Sequence, residues 1–294
     1  MSEGDATDRY LARIEHLIAS LRASGRLLVG DGHARTEACA VALHSSIGPE
    51  GSEKTPVNQD HGLVWINDSA DPTKPTWITA AADGLTSAFW SERAAALAAL
   101  AAARAILEKP GIDAADCLDA ARFALADYLD DLREDLDATR PATQVPFRST
   151  WQYMLDRGAI LQTTLTVAWE FEGRLALVVV GDGGALLEVE GGREIVSACD
   201  LETERVNALN PRGDFDDEPA VVISRPIDRP YRLALFTDGI GRGLGVDSLA
   251  LWDRLEALGG DNPPRSFIEA VCRDEPQSYD DNLTLILIDA LRPR

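Results

Sequence analysis

An α+β fold, with mainly antiparallel sheets layered against helix pairs, follows from three features of this 294-residue sequence. Most of its apolar β-type runs are joined by hairpin-length turns, which only antiparallel neighbours can use. Two long helical runs follow each other across a short link, so they pack as an antiparallel pair instead of alternating with strands. Strands therefore group around helix pairs, unlike the strict alternation of a doubly wound parallel sheet.

The first element is a helix over residues 7–24. Tyr10, Ile14, Leu17, Ile18 and Leu21 share one face, with Asp5 or Thr7 as cap and Gly25 as stop. Strand patterning begins near Leu27 and covers 36–44, 62–67 and 76–82, with a turn-rich segment at 48–55 between the first two. Ala-rich Ser91–Glu108 is the second helix, with Ser91 as its cap and Lys109-Pro110-Gly111 as its end. Asp113 caps a third, in which Leu118, Phe123, Leu125, Tyr128, Leu129, Leu132 and Leu136 repeat at helical spacing to about Asp137. Pro141 and Pro146 mark 139–150 as a loop. Strands follow at 161–171, 174–180, 185–190 and 193–198, the last two joined through Gly191-Gly192, a strong hairpin signal. After a polar excursion at 200–218 come strands at 220–224 and 231–237, helices at 247–258 and 266–272, and a last strand at 282–289.

Composition narrows the function. Hydrophobic residues make up 45% and charged ones 26%, a balance that supports a large core. Lys plus Arg number 28 against 49 Asp plus Glu, giving a net charge of −21. Such a surface repels phosphate backbones and argues against nucleic acid and anionic membranes as partners. The N-terminus lacks the basic start and apolar run of a signal peptide, and Ala94–Leu107 is too short and too interrupted to span a bilayer, so a cytoplasmic protein is expected. Cys39, Cys117, Cys199 and Cys272 lie over seventy residues apart, which gives neither a zinc knuckle nor a disulfide framework.

The chemistry-bearing pattern is acidic. Strand 76–82 runs into Asp83-Gly84, strand 231–237 into Asp238-Gly239, and strand 174–180 into Gly181-Asp182-Gly183. Asp280-Asp281-Asn282 opens the last strand, and Asn58-Gln59-Asp60 precedes another. One Asp-Gly after a strand is an ordinary turn. Five strand-end acids in one chain can instead converge on a cleft, where like charges need a cation. Oxygen-only ligands favour Mg²⁺ or Mn²⁺ over zinc, and two such ions about 3.5–4 Å apart can clamp a phosphoryl group.

The ordered set Asn58-Gln59-Asp60, Ala82-Asp83-Gly84, Gly181-Asp182-Gly183, Thr237-Asp238-Gly239 and Asp281-Asn282-Leu283-Thr284 resembles the metal-dependent 2C-type protein serine/threonine phosphatases, in their bacterial branch. The resemblance covers roughly residues 26–290 and leaves residues 1–25 as an N-terminal helical extension. It implies a four-layer αββα sandwich, two central antiparallel sheets between antiparallel helix pairs, with two Mn²⁺ or Mg²⁺ ions at one edge. By position, Asp83 would bridge the metals, Gly84 would offer its carbonyl, Asp238 and Asp281 would hold one metal, and Asp60 would act directly or through water. Asp182 matches the aspartate of a weaker third metal, while Asn282 and Thr284 read as supports for Asp281. The implied reaction is hydrolysis of phosphoserine or phosphothreonine by a metal-activated water, with no phospho-enzyme. The implied partner is a phosphorylated protein, in a system with a cognate serine/threonine kinase; a monomer is expected.

The chain departs from the family at three places. Gln59 stands where many members have Glu. The phosphate-gripping Arg is replaced by Thr55 with Lys54 beside it, so Lys54 becomes the candidate phosphate contact and Arg35 or Arg93 possible substitutes. Gly183 replaces the usual Ser. Residues 199–218 fall where the family carries a flap beside its site, with Arg205, Asn207 and Asn210 as candidate substrate contacts. The first two departures motivate an alternative, a catalytically weak relative that binds phosphoproteins or scaffolds a signalling partner. A third reading leaves the Asp-Gly pairs as surface turns only.

Overall fold

The computed structural model describes residues 4–49, 57–69, 71–138, 154, 160–190, 192–197, 207–211, 221–245 and 248–291. Helix α1 spans Gly4–Arg22, followed by β1 Arg26–Val29, β2 Asp31–Arg35, β3 Cys39–Ser46, β4 Asp60–Ile66 and β5 Trp77–Asp83. Helices α2 Ser91–Glu108 and α3 Ala114–Ala138 separate these from β6 Leu165–Phe171, β7 Arg174–Val180, β8 Gly184–Val189, β9 Gly192–Ser197, β10 Val221–Pro226 and β11 Tyr231–Phe236. Then come α4 Asp238–Leu244, α5 Ala250–Leu258, α6 Pro263–Asp274 and β12 Leu283–Ala290.

The strands form two six-stranded antiparallel sheets, ordered β10-β7-β6-β5-β4-β1 and β2-β3-β12-β11-β8-β9. Among the described residues they are continuous only at the β1–β2 corner, where Val29 pairs with Asp31 around Gly30, whose φ is 71°. Glycine adopts that left-handed conformation without steric cost, and this lets the chain leave one sheet and enter the other within a single residue.

Strand alternation sorts the side chains into layers. Val64 and Ile66 of β4, Trp77 and Ala81 of β5, Leu233 and Leu235 of β11, and Ile286 and Ile288 of β12 meet between the sheets. The intervening Leu63, Trp65, Ile78 and Ala80 pack against α1, α2 and α3. On the other side, Ala234, Phe236, Leu285 and Leu287 pack with Leu251, Trp252, Phe267 and Ile268 of α5 and α6. The result is the expected αββα sandwich.

Alanine explains why α2 is the inner helix of its layer. Ala94, Ala95, Ala98, Ala99 and Ala102 are all fully buried, so the helix is apolar around most of its circumference, as an enclosed helix must be. Its small side chains let it lie between the sheet and the other two helices, and alanine is the strongest helix former. Helix α1 is fastened onto this layer. Leu21 is fully buried, Leu17 nearly so, and both join the same core. Trp65 Nε1 donates to the Leu21 carbonyl at 3.0 Å, and Arg13 Nη2 donates to Asp131 of α3 at 2.8 Å.

Several elements differ from the sequence expectation. The corner strands β1 and β2 escape pattern reading because they are short and β2 carries Asp31, Gly32 and Arg35. Helix α1 begins at Gly4, so Asp5 and Thr7 lie inside it instead of capping it. Residues 161–164 do not extend β6, since Leu161 has a positive φ of 58° and Thr163 makes isolated bridges to Gly84 and Leu209. Helix α4 is absent from the expectation because three of its seven residues are glycine, the poorest helix former after proline. Among the described residues no helix is long and apolar enough to cross a membrane.

The packing of α1 gives a direct test. Leu21→Ala is expected to destabilise the protein by about 2–5 kcal/mol, the range for truncating a fully enclosed leucine, read from chemical denaturation. A change within about 0.5 kcal/mol would show that α1 is a detachable addition.

Candidate active site

Register creates the acidic edge. Asp60 of β4 stands directly across from Asp83 of β5, and opposed residues on paired strands project to the same face. Asp60 shares parity with Val64 and Ile66, and Asp83 with Trp77 and Ala81, all of which face the inter-sheet layer. Both acids therefore stand where that apolar layer runs out.

The second sheet reaches the same place. Thr237 follows β11, and its hydroxyl donates to Asp60 Oδ2 at 2.7 Å while accepting the Thr284 N–H at 3.1 Å. Asn282 Oδ1 accepts the Gln59 N–H at 3.1 Å. Asn58 Oδ1 accepts the Asp60 N–H at 3.1 Å, and Asn58 Nδ2 donates to Ser45 Oγ at 2.9 Å. The Thr284 hydroxyl closes this network on Ser45 Oγ at 2.7 Å. Asn282 and Thr284 thus tie the strand leading from Asp281 to both Asp60 and Asp238.

Asp238 is the first residue of α4, and Arg242 one turn later pairs with it. Arg242 Nη1 also donates to Asp281 Oδ2 at 3.1 Å. Asp182, beyond β7, belongs to the same field: burial first, then the Asp238 charge, push its carboxyl up to about 6. Burial likewise pushes Asp60 to about 7, with the Asp238 charge adding to it. Asp83 lies well above the ordinary carboxylate range, through burial and then repulsion from Asp60 and Asp238. Asp238 is raised by burial, against the pull of Arg242.

The glycines of the Asp-Gly pairs are explained by close approach. A Cβ on Gly84 would stand 2.5 Å from the Ser91 backbone, and one on Gly239 would stand 2.1 Å from the Asn282 carbonyl. At Gly183 a Cβ would meet Thr166 Oγ1 at 2.3 Å, which accounts for glycine where serine was expected. Ser91 is not the cap of α2: left-handed Trp90 precedes the helix, and the Ser91 hydroxyl accepts from Gln59 Nε2 at 2.7 Å. Gln59 Oε1 in turn accepts from Thr86 at 3.4 Å. The Gln59 amide therefore serves the start of α2, not the carboxylate array.

Neither substitute arginine reaches this edge. Arg93 donates to the Tyr128 hydroxyl and lies over the Tyr10 ring at 5.2 Å. Arg35 influences Asp289, near the opposite end of β12 from Asp281. Lys54, Arg205 and nearly all of 199–218 lie outside the described residues; of the flap only 207–211 is described, with Asn210 buried and Leu209 bridged to Thr163. Among the described residues the cation on this edge is Arg242, which sequence reasoning missed. Its signal was the i, i+4 spacing from Asp238, hidden by the glycines of α4.

These residues suit a hard dication by donor type, since every side-chain donor is a carboxylate oxygen. Asp60 Oδ1 is buried with no hydrogen-bond donor, an arrangement a cation would relieve. Among the described residues no three Asp, Glu, His or Cys side chains are already spaced as a metal cage; Asp238 and Asp281 are turned onto Arg242 instead.

The raised carboxyl groups fix a pH dependence for metal-free protein. The folded chain holds protons that the unfolded chain has released, so the cluster's contribution is fully present below about pH 4 and is lost as the pH rises through about 7. Asp60→Asn removes one charge while keeping an oxygen for Thr237. In chelator-treated protein the variant's stability relative to wild type should rise between pH 5 and pH 8, by on the order of 2 kcal/mol. The same pH dependence in both proteins would show that the Asp60 carboxyl is not raised in the folded chain.

A sequence profile described as protein phosphatase 2C matches residues 47–272. A search among curated proteins finds no match. Solved structures share the fold at low identity. The Mycobacterium tuberculosis serine/threonine phosphatase PstP/Ppp is 19% identical with a TM-score of 0.59, covering 87% of this chain and 100% of its own. The catalytic domain of PstP in complex with two manganese ions is 17% identical with a TM-score of 0.56, covering 86% and 99%. PppA, a regulatory component of T6SS in Pseudomonas aeruginosa, is 16% identical with a TM-score of 0.59, covering 87% and 99%. With three-quarters of its length matched and the four-layer sandwich in common, the chain belongs to the protein phosphatase 2C family.

Proposed function

We propose that this chain is a phosphoprotein phosphatase that uses Mn²⁺ or Mg²⁺ to hydrolyse phosphoserine or phosphothreonine. The observation that carries the reading is the gathering of Asp60, Asp83, Asp182, Asp238 and Asp281 at one end of the inter-sheet layer, from segments as far apart as β4 and β12. Asp83 would serve both of two metal positions, Gly84 would offer its carbonyl, Asp238 and Asp281 would hold one metal, Asp60 would act directly or through water, and Asp182 would hold a weaker third. Bound dications supply Lewis acidity there, lowering the pKa of water and neutralising phosphoryl charge.

The chain's own residues do the positioning. Thr237 holds the Asp60 carboxylate from the opposite sheet, leaving its second oxygen without a donor. The Asp83 backbone is fixed from both sides, its N–H donated to Thr164 Oγ1 at 3.1 Å and its carbonyl accepting from Thr163 Oγ1 at 2.9 Å. Gly84 lets the start of α2 close over this strand end. Lys54 remains the proposed phosphate contact. The substrate is a phosphorylated protein, so a serine/threonine kinase must act upstream; residues 26–290 form the phosphatase unit, acting as a monomer in the cytoplasm.

Purified protein is expected to hydrolyse phosphothreonine peptides and p-nitrophenyl phosphate in Mn²⁺ and to lose this on chelation. Asp83→Asn should lower kcat by about a hundredfold or more with an unchanged circular dichroism spectrum. Full turnover in that variant would exclude the mechanism.

A further inference from the structure

The position of Arg242 has a consequence for metal binding. Its guanidinium contacts both Asp238 and Asp281, the two acids assigned to one metal position. The Arg242 side chain is 46% exposed, whereas those of Asp238 and Asp281 are 7% and 16% exposed. A half-exposed cation thus covers two enclosed carboxylates. We propose that Arg242 is a tethered counter-cation which a divalent ion must displace from the Asp238–Asp281 pair. This rests on the metal-dependent reading above and adds a control on occupancy that lies within the chain.

Charge and geometry support it. The field acting on Arg242 comes from Asp238, Asp281, Asp182 and Asp83, in that order, so the guanidinium stands toward the whole acidic edge. Asp238 and Arg242 lie one turn apart on α4, which brings the guanidinium to the carboxylate without distorting the chain. Asp281 enters from the lead-in to β12, with its Oδ1 bound to the Asn282 N–H at 2.9 Å. Its other oxygen, Oδ2, is the one given to Arg242. Removing one partner from a mostly enclosed ion pair leaves the remaining charge uncompensated. Without Arg242 the two acids would lack their guanidinium and hold a dication more tightly, because apparent affinity scales with the fraction of protein whose site is competent. The long, half-exposed arginine stem allows the guanidinium to leave into solvent as the ion enters.

Calorimetric titration of metal-free protein with Mn²⁺ alone tests the proposal, using wild type, Arg242→Gln and Arg242→Lys. The glutamine variant should bind Mn²⁺ about tenfold more tightly, and lysine, which keeps the charge but not the fork, should fall between. Metal-free Arg242→Gln should melt lower than wild type and gain more on Mn²⁺ addition. Binding by Arg242→Gln but not by wild type would equally support displacement. Unchanged or weaker Mn²⁺ binding by Arg242→Gln would overturn it while leaving the phosphatase reading intact. Loss of kcat/KM with unaltered Mn²⁺ affinity would overturn it too, by making Arg242 a substrate contact. Failure of all three proteins to bind Mn²⁺ would overturn the proposal and the metal-dependent reading together.

Discussion

The pairing of Asp60 with Asp83 across adjacent strands is the constraint on which the acidic edge depends. Like charges directly opposed on one sheet face are unfavourable, and burial removes the water that would screen them. Register leaves no escape, since a one-residue slip of β4 would turn Val64 and Ile66 away from the inter-sheet core. The apolar face that stabilises the sandwich therefore also commits two carboxylates to each other. Burial first, and then repulsion within the acidic edge, raises their affinity for protons in the metal-free chain, and a dication would answer the same need.

Around this pair the sheets are joined by polar groups in place of apolar ones. Thr237 reaches from the second sheet to Asp60, Asn282 to the Gln59 backbone, and Asn58 to Ser45 of the second sheet. Each bond is of modest net value, but leaving any of these enclosed groups unpaired costs more than forming it gains. The network therefore acts on geometry more than on stability, holding the lead-ins to Asp60, Asp238 and Asp281 at fixed separation. Such positions, where local rules are broken by repulsion and compensated nearby, are where functional sites concentrate.

How much of this could be read from the sequence varied with the kind of signal. The layers were legible because β4, β5, β11 and β12 are long apolar runs with short links, and period-two burial follows from the backbone alone. The acids were legible as strand ends, and their order in the chain matched a family. The corner strands were not, because Asp31, Gly32 and Arg35 form a strand only with β3 beside them. Arg93 and Arg35 could not be placed from spacing, since an aromatic pair on α1 and α3 decides the first and the far end of β12 the second. Helix α4 contradicts its own propensity: Ile240 is fully buried, and Gly243 lies where a Cβ would strike the Tyr279 ring at 2.1 Å. Tertiary packing makes that helix, so Arg242 could not be assigned to it beforehand.

The Asp-Gly pairs carry a meaning that turn chemistry alone does not supply. Gly84 and Gly239 do not adopt the positive φ that would make glycine necessary for conformation. What each lacks is room: the backbone at Ser91 presses on Gly84, and the carbonyl of Asn282 presses on Gly239. Both intruding segments are adjacent to the acidic edge, Ser91 through Gln59 and Asn282 through Asp281. Glycine here sets how closely one strand end approaches the next element, and so how closely the preceding aspartate approaches its neighbours. An alanine at either place would push backbone against backbone, with no flexible side chain to yield, and would spread the carboxylates apart before any charge had changed. The recurrence of the dipeptide thus encodes a distance between acids, which is the quantity a cation site depends on.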